Sequence, residues 1–281
     1  MSVASQVFVS MQGWNSWNFF QCNTKLITED TILKLAEKMD TSGLKDRGYT
    51  YVNIDDCWSV KSNPRPADQP LIPSPVQFPS SKESGSLKYL ADKIHERGMK
   101  FGLYGDWGTA TCQGYQGSQG FAQKDSETLA SWDVDYLKLD GCNADPSTYA
   151  EGYREFSEAL RSSGRSIVFS CSWPAYVNEK AKWKTYPWEE LTAECTLWRL
   201  YGDIDAKWET LLNIIQYWFN DPDMLEIGNP GFGDVEGRTQ MSIWAILAAP
   251  LLMGHDVMAM SEDSETFRQQ TRDRTENKCD L

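Results

Sequence analysis

Histidine is nearly missing: the 281 residues include only 2, so a His-based triad or a His-rich metal centre has almost nothing to be built from. Basic residues are also scarce. There are 27 Lys+Arg against 40 Asp+Glu, a formal net charge of −13 with a pI near 4.7. A surface of that sign repels phosphate backbones and anionic headgroups, which argues against nucleic acid and lipid as partners. Long hydrophobic runs are absent too. The longest, Met241–Met253, has 13 residues and contains Ser242 and Pro250. A membrane span needs about 20, so this run reads as core. The opening stretch, MSVASQVFVSMQ, lacks the basic start and full apolar core of a signal peptide. No CxxC pair, GxGxxG, P-loop or nucleophile elbow occurs, so zinc-ribbon, thioredoxin-type, nucleotide-binding and serine-hydrolase readings have no motif. What these absences leave is carboxylate chemistry.

Aromatic residues are abundant: 12 Trp, 12 Tyr and 11 Phe. Flat rings with a polar edge suit sugar faces, although Trp also simply fills cores. The seven cysteines are Cys22, Cys57, Cys112, Cys142, Cys171, Cys195 and Cys279. Six of them can form three disulfides in 15 connectivities with one left over, and scattered buried thiols are the alternative.

Short β-rich runs recur at Val7–Trp14, Tyr51–Ile54, Lys100–Tyr104, Val134–Leu139, Ser166–Ser170, Leu197–Tyr201 and Pro250–Met253. Helical patterns lie between them. Thr28 can cap a helix with Ile32, Leu35, Ala36 and Met39 on one face, ended by Gly43. Leu87–Arg97, Tyr149–Leu160 and Trp208–Trp218 read the same way. Alternating βα units over this length predict a (β/α)₈ barrel, which typically runs about 250 residues. The barrel is expected over residues 1–273, followed by a polar tail at 274–281.

Acidic residues gather where these strands end: Asp55 and Asp56, Asp106, Asp140, Asp203 and Asp205, Asp221 and Asp223, and Asp256. Helix capping accounts for one or two of them, not for a doublet or for so many at one rim. In a barrel those ends form the catalytic face. In Tyr136-Leu137-Lys138-Leu139-Asp140, alternation sends Tyr136, Lys138 and Asp140 to one face. A lysine and a carboxylate then share the mouth, and the lysine keeps the carboxylate ionised. Two chemistries fit such a rim: glycoside hydrolysis by an Asp pair, or a divalent metal held by carboxylates. The aromatic surplus favours sugar, and Lys138 beside Asp140 argues against a metal there. Cysteines near the same strand ends suit disulfides that staple rim loops in an oxidising compartment.

Taken in order, Gly13-Trp14-Asn15-Ser16-Trp17, Asn53-Ile54-Asp55-Asp56-Cys57-Trp58, Leu137-Lys138-Leu139-Asp140-Gly141-Cys142, Cys171-Ser172-Trp173-Pro174, Trp198-Arg199 with Asp203, and Asn220-Asp221-Pro222-Asp223-Met224 resemble glycoside hydrolase family 27. That family comprises α-galactosidases and α-N-acetylgalactosaminidases, and the resemblance runs from about Met11 to Asp256. It implies a metal-independent (β/α)₈ barrel that cleaves terminal α-linked galactose-type sugars with retention. It places the nucleophile at Asp140 and the acid/base at Asp203, whose pKa the nearby Asp140 is expected to raise. Asp55 and Asp56 would accept from O4 and O6, and Lys138 would donate to the sugar. Trp17, Tyr104 and Met224 would form the apolar wall, Asp223 would complete the pocket, and Arg199 would reach the C2 side. Ser172 and Ala175, with Tyr176, match the pattern that admits an N-acetyl group at C2. The implied substrates are terminal α-GalNAc or α-Gal glycoconjugates, and the implied disulfides pair Cys22 with Cys57, Cys112 with Cys142, and Cys171 with Cys195. A homodimer and a lysosomal or secreted location follow from the same resemblance.

Several family features are missing: the C-terminal β-sandwich domain, a signal peptide, one disulfide in the first loop, and any Asn-x-Ser/Thr sequon. Trp218 also runs almost directly into Asn220, where the family carries its seventh strand and a Gly-Pro-Gly turn. A barrel open at that seam, with unpaired backbone groups on both sides, is the expectation.

Overall fold

The structure, a computed structural model, describes residues 11–177, 187–216 and 220–260. Seven strands form one parallel sheet: β1 (Gln12–Asn15), β2 (Tyr51–Ile54), β3 (Lys100–Asp106), β4 (Tyr136–Asp140), β5 (Val168–Cys171), β6 (Leu197–Trp198) and β7 (Leu251–Met253). Their order is β6-β5-β4-β3-β2-β1-β7. The longer helices between them are α1 (Glu29–Thr41), α2 (Lys88–His95), α3 (Ala122–Ser131), α4 (Tyr149–Ser162), α5 (Trp188–Glu194), α6 (Trp208–Gln216) and α7 (Asp234–Ile246). This is a curled parallel sheet with helices, a partial (β/α)₈ barrel. The expected Val7, Trp218, Cys279 and tail 274–281 lie outside the described residues.

Strand composition follows from this architecture. Parallel strands covered on both faces cannot alternate between core and water, and β2 and β4 are buried along their whole length. The helices show the opposite pattern. Thr28 caps α1 by accepting the Thr31 N–H at 3.2 Å, and Ile32, Leu35, Ala36 and Met39 are all fully buried. Ile32, Leu35 and Met39 each contribute roughly 1.5–3 kcal/mol by leaving water, and Ala36 less. Gly43 follows with φ +80°, a conformation that costs glycine nothing. Within α4, a Cβ at Gly152 would lie 2.0 Å from the Trp107 ring, so that glycine makes room for the loop after β3.

The seam between β6 and β7 is bridged. Arg199 pairs with Asp221, whose N–H donates to the Trp198 carbonyl at 3.1 Å. On the other side Leu225 pairs with Met253, its N–H donating to the Leu252 carbonyl at 2.7 Å and its carbonyl accepting from Gly254 at 2.9 Å. Residues 221–225 therefore hold the seventh place with single bridges instead of a ladder. The barrel is reduced there, as expected, yet the unpaired edge that the short junction implied is largely satisfied.

Disulfides join Cys22 to Cys57, Cys112 to Cys142 and Cys171 to Cys195, which settles the open connectivity. No helix among the described residues is long and apolar enough to cross a membrane.

Candidate active site

The barrel mouth is built by register. Tyr104 pairs with Lys138 and Asp106 with Asp140 across β3 and β4, and Lys138 pairs with Ser170 across β4 and β5. Alternate residues on neighbouring strands therefore converge on one side. A cavity there is lined by Asn15, Tyr136, Lys138, Ser170, Ser172, Arg199, Asp221, Asp223, Met224 and Leu252. Lys138, Ser172, Arg199, Asp223 and Met224 were expected there. The rest had no assigned role, although Asn15 and Asp221 sit within the quoted motifs.

Lys138 forms its ion pair with Asp55 at 2.8 Å and not with Asp140. Residues two apart on a strand project in parallel, about 6.6 Å apart, so the carboxylate arriving from β2 is closer. Asp55 also accepts from the Asn15 amide at 3.0 Å and its own N–H donates to Ser16 Oγ at 2.9 Å. Burial works against the charge on Lys138, but Asp55 and Asp140 together hold its pKa above the ordinary lysine range. The ammonium also lies 5.3 Å from the centre of the Tyr104 ring, a cation–π contact.

A second group surrounds the Cys112–Cys142 disulfide. The Tyr104 hydroxyl donates to Asp140 at 3.1 Å, and Tyr176 Oη sits 3.4 Å from Cys112 Sγ and 3.2 Å from Cys142 Sγ. Asp56 accepts from the Cys57 and Gln113 N–H groups at 2.6 and 3.0 Å, while burial pushes its pKa up to about 6. Asp106, Cys112 and Cys142 form the one convergent set of metal-type ligand atoms among the described residues. Both sulfurs are tied up in the disulfide, so the set supplies no thiolate.

Arg199 organises the third side. Its Nη1 lies 2.8 Å from Asp223 Oδ2 and 2.7 Å from Asp203 Oδ1. Asp203 was expected to carry a raised pKa. The direction is reversed: Arg199 lowers it, against a smaller opposing effect of burial. Sequence spacing did not show that the guanidinium four residues earlier turns back onto this carboxylate. The Asp203 side chain is 60% exposed, whereas Asp140 is buried. Trp17 is half-buried, its N–H donating to Asn15 at 2.8 Å. Ala175 is half-buried, its N–H donating to the Ser172 carbonyl at 2.9 Å, but it does not line the cavity. Tyr176 sits with the disulfide group and does not line the cavity.

Three buried groups near the mouth escaped the site assignment. Asp221 is pushed up to about 6 by burial and then by Asp223. Glu226 accepts from Asn18 and Asn229, and burial pushes it up to about 8. His255 is buried outside the cavity lining, with a pKa lowered to about 4 by burial. Glu226 has no signal in sequence beyond being a lone acid in an apolar run. A larger cavity, between Ser157, Arg161, Arg165 and Thr196, lies where β5 and β6 begin, the face that serves stability in barrels. Its arginines are engaged by Glu194, Asp133 and Asp135.

Carboxylates at the C-terminal mouth of a parallel barrel, with the buried cations Lys138 and Arg199 among them, fit a hydrolase that works on sugars by carboxylate chemistry. Residues 9–275 match the family profile Melibiase_2, Alpha galactosidase A. The chain belongs to this family, glycoside hydrolase family 27. It is 40% identical to an α-N-acetylgalactosaminidase of Gallus gallus, covering 92% of this chain and 67% of that protein. It is 37% identical to α-galactosidase A of Homo sapiens, covering 92% of this chain and 63% of that one. The crystal structure of α-galactosidase I from Mortierella vinacea superposes with a TM-score of 0.80 at 30% identity, covering 96% of this chain and 73% of that one. The chain spans about two thirds of the length of these curated relatives.

Proposed function

We propose that the chain is a retaining exo-glycosidase that removes terminal α-linked N-acetylgalactosamine from glycoconjugates, and accepts α-galactose less well. The observation behind the choice of sugar is Ser172, a small buried hydroxyl on the wall of the cavity that also contains Arg199 and Asp223. A short side chain leaves room for an acetamide at C2 and can donate to its oxygen. Curated relatives at 40% identity carry the name α-N-acetylgalactosaminidase.

In this reading Asp140 attacks C1 as the C1–oxygen bond breaks, and the leaving oxygen takes a proton from Asp203. Water then attacks C1 of the glycosyl-enzyme, Asp203 takes the water's proton, and Asp140 departs. A retaining pair of this kind works at a separation of about 5 Å. Asp55 and Asp56 accept from O4 and O6, and Lys138 donates to the ring hydroxyls. Arg199 has a dual role: it holds Asp203 in the empty site, and a sugar whose C2 substituent engages the guanidinium loosens that hold, letting Asp203 take up the proton it must donate. Trp17, Tyr104 and Met224 supply the apolar wall, and the acetamide methyl faces the turn after β5 that carries Ala175 and Tyr176. The disulfides support an oxidising compartment, lysosomal or secreted, and a homodimer belongs to the same reading.

Kinetics on matched chromogenic α-GalNAc and α-Gal glycosides test the proposal, with the product anomer followed by NMR. Faster turnover of α-GalNAc with retention is expected. A preference for α-Gal would favour an α-galactosidase, the name carried by relatives at 37–41% identity. Binding without turnover would make the chain a sugar-binding variant.

A further inference from the structure

Asp106 has no role in the proposed mechanism, yet it is fully buried beside the nucleophile. It is the register partner of Asp140 on the adjoining strand. Its Oδ2 lies 3.3 Å from the Tyr104 hydroxyl, which is also 3.1 Å from Asp140 Oδ2. The same hydroxyl therefore lies between two carboxyl groups and has one proton to give. The other contacts of its carboxylate are the backbone donors Gly108 N–H at 2.7 Å and Cys142 N–H at 3.0 Å, and Cys112 Sγ at 3.7 Å, which has no proton in its disulfide. Among the described residues no Lys, Arg or His forms an ion pair with it. The titratable groups that face it are Tyr104 on its own strand, Asp140 on β4, Asp56 after β2, Tyr149 and Tyr153 on α4, and Tyr176 after β5. None is a cation.

We propose that Asp106 is a positioning residue that keeps a proton and donates it to the Tyr104 oxygen, so that the Tyr104 hydroxyl is committed to Asp140. Two like charges on adjoining strands repel, and a desolvated carboxyl without a cation is favoured neutral. Burial, followed by the charge of Asp140, pushes the Asp106 pKa well above the ordinary range. With Asp106 neutral, Tyr104 has a single anionic acceptor in reach. With Asp106 ionised, the hydroxyl is divided between two acceptors and Asp140 loses part of its orientation. The inference rests on the assignment of Asp140 as nucleophile for its kinetic consequence, but not for its protonation state.

The experiment has two arms. In the first, Asp106→Asn keeps a neutral donor toward Tyr104 while setting its amide nitrogen against the Cys142 N–H, and should lose several-fold less kcat than Asp106→Ala. Asp106→Ala and Tyr104→Phe should each lower kcat roughly 10- to 100-fold, the value of one hydrogen bond to a charged group, with KM little changed. The double variant should be no worse than either single, because the two residues act as one unit. Equal losses for Asn and Ala, or additive losses in the double variant, overturn the proposal. The second arm reads carboxyl ¹³C NMR of aspartate-labelled protein at neutral pH. One protonated aspartate is expected, absent in Asp106→Asn and shifted in Tyr104→Phe, so either variant alone identifies it. No protonated carboxyl in the wild-type protein overturns the proposal outright. A protein with no glycosidase activity at all fails the functional reading instead, and the NMR arm still decides this one.

Discussion

Arg199 Nη1 bonds Asp203 Oδ1 at 2.7 Å while holding Asp223 Oδ2 at 2.8 Å, so one guanidinium nitrogen links the proposed acid/base to the pocket wall. The pair depresses the Asp203 pKa. An acid held ionised by a neighbour donates only when that neighbour is drawn away. Arg199→Ala should therefore raise the Asp203 pKa and move the alkaline limb of kcat/KM to higher pH, while raising KM through the lost C2 contact. A pH profile of kcat/KM on an unactivated glycoside checks this. An unmoved alkaline limb would take the acid/base role away from Asp203.

The two catalytic assignments separate by leaving group. Asp140→Asn should abolish turnover on every glycoside without lowering the thermal midpoint, since Asn cannot supply the attacking oxygen. Asp203→Asn should cost roughly 10²–10⁴-fold on substrates with poor leaving groups and far less on activated ones. Steady-state kinetics across a leaving-group series measure the difference, and equal losses throughout would contradict the roles.

Sugar preference should turn on Ser172 and Ala175. Changing Ser172→Glu and Ala175→Leu together fills the space beside C2 and offers a carboxylate to a 2-hydroxyl. The ratio of kcat/KM for α-GalNAc over α-Gal should fall by at least about tenfold, the scale on which pocket volume discriminates. Ser172 lines the cavity and Ala175 does not, so Ser172→Glu alone should account for most of the change. An Ala175→Leu variant that does more than Ser172→Glu would show the pocket to be built differently.

Stability should fall as pH rises. Glu226 has an unfolded pKa of 4.5 and a folded one of about 8. Between these values the folded state binds the extra proton, so stability is greatest below about 4.5 and declines until about 8. Asp56 and Asp221 act in the same sense between 3.8 and about 6. His255 opposes them, because its folded form refuses a proton between 6.5 and about 4 and loses stability as pH falls through that window. The thermal midpoint of the wild-type protein should drop from mildly acidic to alkaline pH, and Glu226→Gln should flatten the part near neutrality. Parallel curves for the two proteins would mean that Glu226 is ionised in the fold.

The bridged seam carries a stability prediction of its own. Leu225 is fully buried where residues 221–225 meet β7. Leu225→Ala should cost about 2–5 kcal/mol by denaturant unfolding, as for a core leucine. A loss below 1 kcal/mol would show that the seam does not contribute to the core.

The sequence alone determined the barrel class, the strand centres and the rim on which the carboxylates sit. Those features rest on local physics: short β-rich runs alternating with helical patterns, helix caps, and short motifs such as Asn53-Ile54-Asp55-Asp56 that keep chemistry next to a strand end. Even the inward set Tyr136, Lys138 and Asp140 was readable from alternation, because adjacent side chains on a strand must face opposite ways. Which charge meets which was decided only by the tertiary structure. Lys138 turns to Asp55 because a carboxylate 83 residues away in sequence, at the end of the strand beyond β3, reaches across the mouth to the ammonium, whereas Asp140 projects parallel to Lys138 from two residues along its own strand. Arg199 folds back onto Asp203, reversing the expected pKa shift. Residues 221–225 close the gap left by a short junction. Asp106 meets Asp140 only because β3 and β4 align in that register. A pKa depends on distance in space and on desolvation, and linear spacing encodes neither.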